Sequence, residues 1–192
     1  MAEAAVHELI LGGQRSGKSR RAEQIALDWL ARSSAHRAVL VATGQAWDAE
    51  MRARIARHRE ERAARVPALE TLEEPLHVPE AILALSTPGT LVLVDCLTLW
   101  LTNLLMPAEL DLARAAAPDT ESLLALLPVA LADAPGPVVL VSNEIGLGVI
   151  PLGEEVRAYV DALGRLNQQA AAACQRVTFM AAGLPLSLKA PE

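Results

Sequence analysis

The sequence predicts an α/β fold with a mainly parallel central sheet flanked by helices, and three observations carry that expectation. Short runs rich in Val and Leu recur without strict polar alternation, which is the pattern of strands buried on both faces. Helix-like segments separate them, and such alternation calls for right-handed crossovers in a parallel sheet. A glycine-rich turn follows the first run and opens the first helical segment. At 192 residues the chain is read as one domain, 1–192.

The first run is Glu8–Leu11, followed by a helix over Ser19–Arg32. The second, Ala38–Ala42, leads into a helix over Asp48–Arg65. Leu91–Val94 is the third, with a helix over Leu97–Leu105 behind it. A helical stretch over Thr120–Ala132 precedes the fourth run, Val138–Val141. A long helix, Glu154–Cys174, leads to the fifth, Val177–Ala181. The segment Pro107–Pro137 is rich in proline and alanine and reads as a variable connection, not a domain boundary.

Composition narrows the function classes. Hydrophobic residues are 52% and charged residues 21%, which excludes a disordered chain. Aromatics are only 3%, so the core must be aliphatic. Seventeen Lys and Arg against 23 Asp and Glu give a net charge of −6. That lacks the basic field that drives phosphate-backbone binding, so no nucleic-acid partner is expected. Cys96 and Cys174 have no C-x-x-C spacing, which points away from a disulfide framework or zinc site and suits a reducing compartment. The stretch Leu123–Ala132 is interrupted by Pro128 and falls short of the ~20 residues of a membrane span. The opening residues show no signal-peptide pattern, and the expected location is the cytoplasm.

The strongest motif is Gly12-Gly13-Gln14-Arg15-Ser16-Gly17-Lys18-Ser19, which fits the G-x-x-x-x-G-K-[ST] phosphate loop. Glycines let backbone N–H groups wrap phosphate oxygens, Lys18 reaches the β and γ phosphates, and Ser19 holds Mg²⁺. The helix behind adds its positive end. Arg15 reads either as a phosphate ligand or as a solvated loop residue. A phosphate loop needs an acid at the end of a buried strand, and Asp95 after Leu91–Val94 fits, as a magnesium partner of Ser19. Its alternative is a helix N-cap. Asn143 and Glu144 also follow a buried run, where functional groups or a plain turn can sit.

On the second helix, a 100° step places Trp47, Met51, Ile55 and His58 on one stripe, with Arg54 and Arg62 one turn to either side of His58. One reading is a packed histidine beside the core, flanked by snorkelling arginines. The other is a nucleophile: two neighbouring cations disfavour the imidazolium, and the same arginines can hold the phosphates under attack. His7, His36 and His77 receive no role.

With these residues in place, the chain resembles the bifunctional adenosylcobinamide kinase / adenosylcobinamide-phosphate guanylyltransferase family of cobalamin biosynthesis. The matching stretches are GGQRSGKS at Gly12–Ser19, ATGQ at Ala42–Gln45, DAEMRARIARHR at Asp48–Arg59 and TLEEP at Thr71–Pro75. They continue with VDCLTLWLTNLL at Val94–Leu105, VSNEIGLGVIP at Val141–Pro151, GRLNQ at Gly164–Gln168 and AGLPLSLK at Ala182–Lys189. Only Pro107–Pro137 lacks a match.

The resemblance implies a P-loop NTPase fold with a RecA-like sheet and two reactions. The first phosphorylates adenosylcobinamide from ATP or GTP. The second moves GMP from GTP onto that phosphate through a GMP–histidine intermediate, mapped to His58. Nucleotide contacts map to Thr43, Gly44, Gln45, to Arg59, Glu60, Glu61 and Arg62, to Glu73 with Glu70 as its neighbouring alternative, and to Asp95. A homo-oligomer, a trimer, is implied as well. Two other functions fit the bare motifs: a single-function small-molecule kinase, and a nucleotide-dependent regulatory switch.

Overall fold

The computed structural model describes residues 5–106 and 120–191. Seven strands form one sheet: β1 (Glu8–Gly12), β2 (Arg37–Ala42), β3 (Leu69–Glu73), β4 (Thr90–Asp95), β5 (Val138–Val141), β6 (Arg176–Ala181) and β7 (Leu184–Lys189). The helices are α1 (Lys18–Arg32), α2 (Ala49–Arg65), α3 (Val78–Leu85), α4 (Leu97–Leu105), α5 (Thr120–Asp133) and α6 (Glu154–Ala173). The strand order is β3-β2-β4-β5-β1-β6-β7, with only β7 antiparallel to its neighbour.

The inner strands are apolar throughout because each feeds two cores. In β4, Val92 and Val94 enter the layer built with α3, α4, α5 and α6, while Leu91 and Leu93 enter the layer under α1. In β5, Val138 and Leu140 face the first layer, and Val139 and Val141 the second. Successive side chains point to opposite faces, so a strand covered on both sides shows no polar alternation.

Three elements go beyond the sequence reading. These are β3, α3 and the β7 edge strand. The proline-rich connection contains the helix expected over Thr120–Ala132. Its second half is α5, which runs through Pro128 and places Leu123, Leu127, Ala130 and Leu131 in the core. Residues 107–119 of that segment lie outside the described residues.

Parallel order brings the carboxyl ends of β1, β4 and β5 to one edge, with β5 between the other two. Open α/β sheets bind ligands outside that edge. No helix among the described residues is long and apolar enough to cross a membrane.

Candidate nucleotide site

The glycine-rich loop leaves β1 at Gly12, whose φ of 152° falls where L side chains rarely go. A Cβ there would stand 2.4 Å from the Met180 carbonyl oxygen, so the loop can leave the sheet only through glycine. Gly17, at φ 100°, is the N-cap of α1. The buried Lys18 Nζ donates to the carbonyls of Gly12 at 3.0 Å and Gly13 at 2.7 Å. Burial lowers its pKa from the usual lysine value, and the charges of Cys96 and Asp95 pull it back up. The Ser16 hydroxyl is buried without a hydrogen-bond partner. Arg15 is exposed and forms no ion pair among the described residues.

Asp95 ends β4 opposite Val141 of β5. Its enclosed position pushes the carboxyl pKa up, while the Ser19 hydroxyl bonded to it and the charges of His58 and Arg62 pull it down. The motif residue, the strand-end acid and the histidine therefore share one site. The capping alternative for Asp95 is not what the structure shows: α4 has Cys96 at its N-cap and no side-chain cap bond. A hydroxyl beside a carboxylate is a hard-oxygen donor pair of the kind Mg²⁺ takes together with nucleotide phosphates. Among the described residues no group of three or more His, Cys, Asp or Glu forms a metal cage.

Helix α2 contains no buried residue and is held by discrete ties. Asp48 caps it, accepting from the Met51 N–H at 2.6 Å. Ile55 approaches Gly44 closely; a Cβ on Gly44 would lie 3.8 Å from Ile55 Cδ1 and 3.4 Å from Leu99 Cδ1. With the Gln14 amide turned to face it with its oxygen, Arg54 donates to Gln14 Oε1 at 3.1 and 3.3 Å, which links α2 to the phosphate loop. Arg59 pairs with Glu73, and Arg62 reaches Thr71 Oγ1 at 3.5 Å. Arg65 forms two hydrogen bonds to Glu23 of α1, at 2.6 and 3.2 Å. Arg59, Arg62, Thr71 and Glu73 line a cleft of about 320 Å³ beside this face.

Several sequence expectations are refined here. His58 is exposed, so the packed-histidine reading does not hold; its stripe borders an open site instead of the core. Glu73 is the acid that faces α2, because Glu70 is engaged by Arg37 at 2.8 Å. Glu60 and Glu61 are exposed and do not line the cleft, and Glu61 pairs with Arg65 at 3.6 Å. Thr43 differs most from expectation. It is fully buried, its hydroxyl donates to the Cys96 carbonyl at 2.8 Å and accepts from the Cys96 N–H at 2.9 Å. Its side chain is thus a strut that fixes the strand end at Asp95, not a nucleotide contact. Gly44 and Gln45 sit beside α2 and stay partly accessible.

A polar network behind the site was not anticipated. Thr98 Oγ1 accepts from the Asn143 N–H at 2.8 Å, and Asn167 Nδ2 donates to the Asn143 carbonyl at 3.0 Å. The Glu144 N–H donates to the Gly12 carbonyl at 3.1 Å. Asn143 is therefore clamped through both backbone groups, and the strand end is tied to the phosphate loop. The available signal was polar residues in otherwise apolar helical segments, since buried amides must find partners.

Residues 8–188 match the family model described as cobinamide kinase / cobinamide phosphate guanyltransferase. The chain is 49% identical over 187 residues to a bifunctional adenosylcobalamin biosynthesis protein of Pseudomonas aeruginosa, covering 96% of this chain and 98% of that protein. It is 37% identical over 191 residues to a protein of the same description from Escherichia coli, covering 94% and 98%. Among solved structures, the flagellar accessory protein FlaH of Methanocaldococcus jannaschii superposes with a TM-score of 0.52 at 12% identity, covering 98% of this chain and 80% of that one. That likeness supports the fold alone. By the match along nearly its whole length, the chain belongs to the cobinamide kinase / cobinamide phosphate guanyltransferase family.

Proposed function

We propose that this chain, acting as one domain over 1–192, phosphorylates adenosylcobinamide with ATP or GTP and then transfers GMP from GTP to give adenosylcobinamide-GDP. The observation that carries this reading is the meeting of His58, Arg62, Ser19 and Asp95 at one edge of the sheet. Gly12, Gly13, Gln14, Arg15, Ser16, Gly17, Lys18 and Ser19 would cradle the triphosphate. Mg²⁺ beside Ser19 and Asp95 would neutralise charge on the β and γ oxygens when bound.

In the kinase step the aminopropanol hydroxyl oxygen bonds to the γ-phosphorus, the bond to the β–γ bridging oxygen breaks, and the hydroxyl proton is released. Lys18 stabilises the charge that gathers on the leaving diphosphate. In the second reaction a ring nitrogen of His58 bonds to the α-phosphorus of GTP, and pyrophosphate leaves with the electron pair. The phosphate oxygen of adenosylcobinamide phosphate then bonds to that phosphorus, and the N–P electron pair returns to the ring. Arg54, Arg59 and Arg62 on α2 would hold nucleotide oxygens, and Glu73 with the backbone at Gly44 and Gln45 would hold the rest of the nucleotide.

The exposure of His58 supports this role, because a nucleophile must be reachable. A homo-oligomer, a trimer, and a cytoplasmic setting complete the proposal; the two free buried cysteines suit reducing conditions. The test is intact mass after incubation with GTP and Mg²⁺. A gain of one GMP per chain is expected. A single-function kinase or a regulatory switch would show none.

A further inference from the structure

Residues 145–152 follow β5 and carry the sequence Ile-Gly-Leu-Gly-Val-Ile-Pro-Leu, with no charged or polar side chain. In a chain with 21% charged residues that is an unusual surface segment. Its apolar side chains are held out in solvent: Leu147 is 77% exposed, Val149 95%, Ile150 77% and Leu152 98%. The backbone keeps them there. At the root, Glu144 Oε1 accepts from the Gly146 N–H at 2.8 Å. At the far end, Arg157 Nη1 donates to the carbonyls of Pro151 at 3.0 Å and Leu152 at 2.5 Å. A contiguous exposed apolar patch of this kind marks a binding surface.

Its position says what it meets. The residue before the loop, Glu144, is hydrogen-bonded to Gly12, so the patch starts at the phosphate site itself. The nucleotide needs charged and polar contacts, and those lie on α2 and the phosphate loop, not here. The acceptor is different in kind. Adenosylcobinamide is a bulky macrocycle edged with methyl groups and uncharged amides, with the reacting hydroxyl at the tip of a short arm. When that hydroxyl reaches the γ-phosphate, the macrocycle must rest on the rim beside the phosphate loop.

We propose that residues 145–152 form the acceptor subsite, with Leu147, Val149 and Leu152 covering the apolar edge of the corrin ring while its hydroxyl arm enters beside Gly12. This rests on the proposed function and names the surface that selects its acceptor.

The test is the triple variant Leu147→Ser, Val149→Ser, Leu152→Ser, with Leu83→Ser on α3 as an exposed apolar control. The KM for adenosylcobinamide is measured at saturating ATP, alongside GMP adduct formation from GTP alone and molar mass by light scattering. In the triple variant the KM rises at least about tenfold, because the apolar area is lost only from the complex. The adduct yield and molar mass match the wild type, and the control keeps its KM. An unchanged KM overturns the proposal. So does a KM change that comes with a smaller assembly, since the patch would then be a contact between copies of this chain. Failure of the underlying function shows separately, as a wild type with neither kinase activity nor adduct.

Discussion

Helix α2 carries the proposed nucleophile without burying a single residue, so its placement depends on its polar ties, and Arg65 is the strongest of them to test. The Arg65→Ala variant removes two hydrogen bonds to Glu23 and leaves that carboxylate, only 6% exposed, without its cation. Breaking a fully buried pair costs roughly 3–5 kcal/mol, and a fully exposed one about 0–1. Arg65 is 39% exposed on its side chain, so solvent screening places the loss between these limits, at about 2 kcal/mol. For a chain of this size that lowers the Tm by about 5 °C. The helix also loses its anchor to α1, and misplacement of His58 should slow GMP adduct formation about tenfold. ATP affinity should hold within about twofold, because the phosphate loop is untouched. Calorimetry and rapid-quench mass spectrometry of the adduct read both effects. Adding Glu23→Gln removes the stranded charge and should recover most of the Tm but not the adduct rate. A single variant with wild-type Tm and wild-type adduct rate would refute the view that polar ties place this helix.

Three further outcomes follow from the geometry. Lys18→Ala removes the point charge proposed to face the β and γ phosphates, so titration should show ATP and GTP affinity falling by at least about tenfold, with kinase turnover falling further. Asp95→Asn keeps the shape of the strand end but removes a carboxylate bonded to Ser19, so a magnesium titration of kinase activity should shift to higher concentration; superimposable curves would remove the metal role. His7 is buried, its Nδ1 accepts from the Val138 N–H at 3.1 Å, and burial lowers its pKa below the ordinary 6.5. A depressed histidine leaves stability intact above the unfolded pKa and loses it as pH falls, because the unfolded chain binds the extra proton; urea unfolding at pH 7 and pH 5.5 should show that loss, and His7→Asn should flatten it.

The inner strands and the phosphate site were legible because their physics is local. A run such as Leu91–Val94 has to be buried on both faces, and a glycine-rich turn between strand and helix has few other uses. The edge elements were not. In β3, Leu-Glu-Thr-Leu-Glu, only Leu69 is buried, and β7 carries Pro185 and is exposed at every position. Neither has the apolar run that marks an inner strand. Thr43 reads as a nucleotide contact because the sequence cannot show that its hydroxyl is already taken by Cys96. In the His58 stripe Met51 and Ile55 are half-buried but Trp47 and His58 are exposed, because periodicity cannot tell a core from an open cleft. The Asn143 clamp joins α4, β5 and α6 across distances that no local pattern encodes.

The central claim is that His58 is the covalent nucleophile of the second reaction and has no part in the first. His58→Asn tests it directly, because the residue is exposed on a surface helix and its loss should leave the Tm within about 1 °C. Asn is polar and similar in reach but forms no stable phosphoramidate. The measurement is incorporation of α-labelled GMP into protein, read against the kinase rate on adenosylcobinamide in the same preparation. The account predicts no label and no adenosylcobinamide-GDP, with the kinase rate kept within about threefold of wild type, since phosphoryl transfer needs positioning and charge but no covalent histidine. Label at the wild-type level in the folded variant would contradict it.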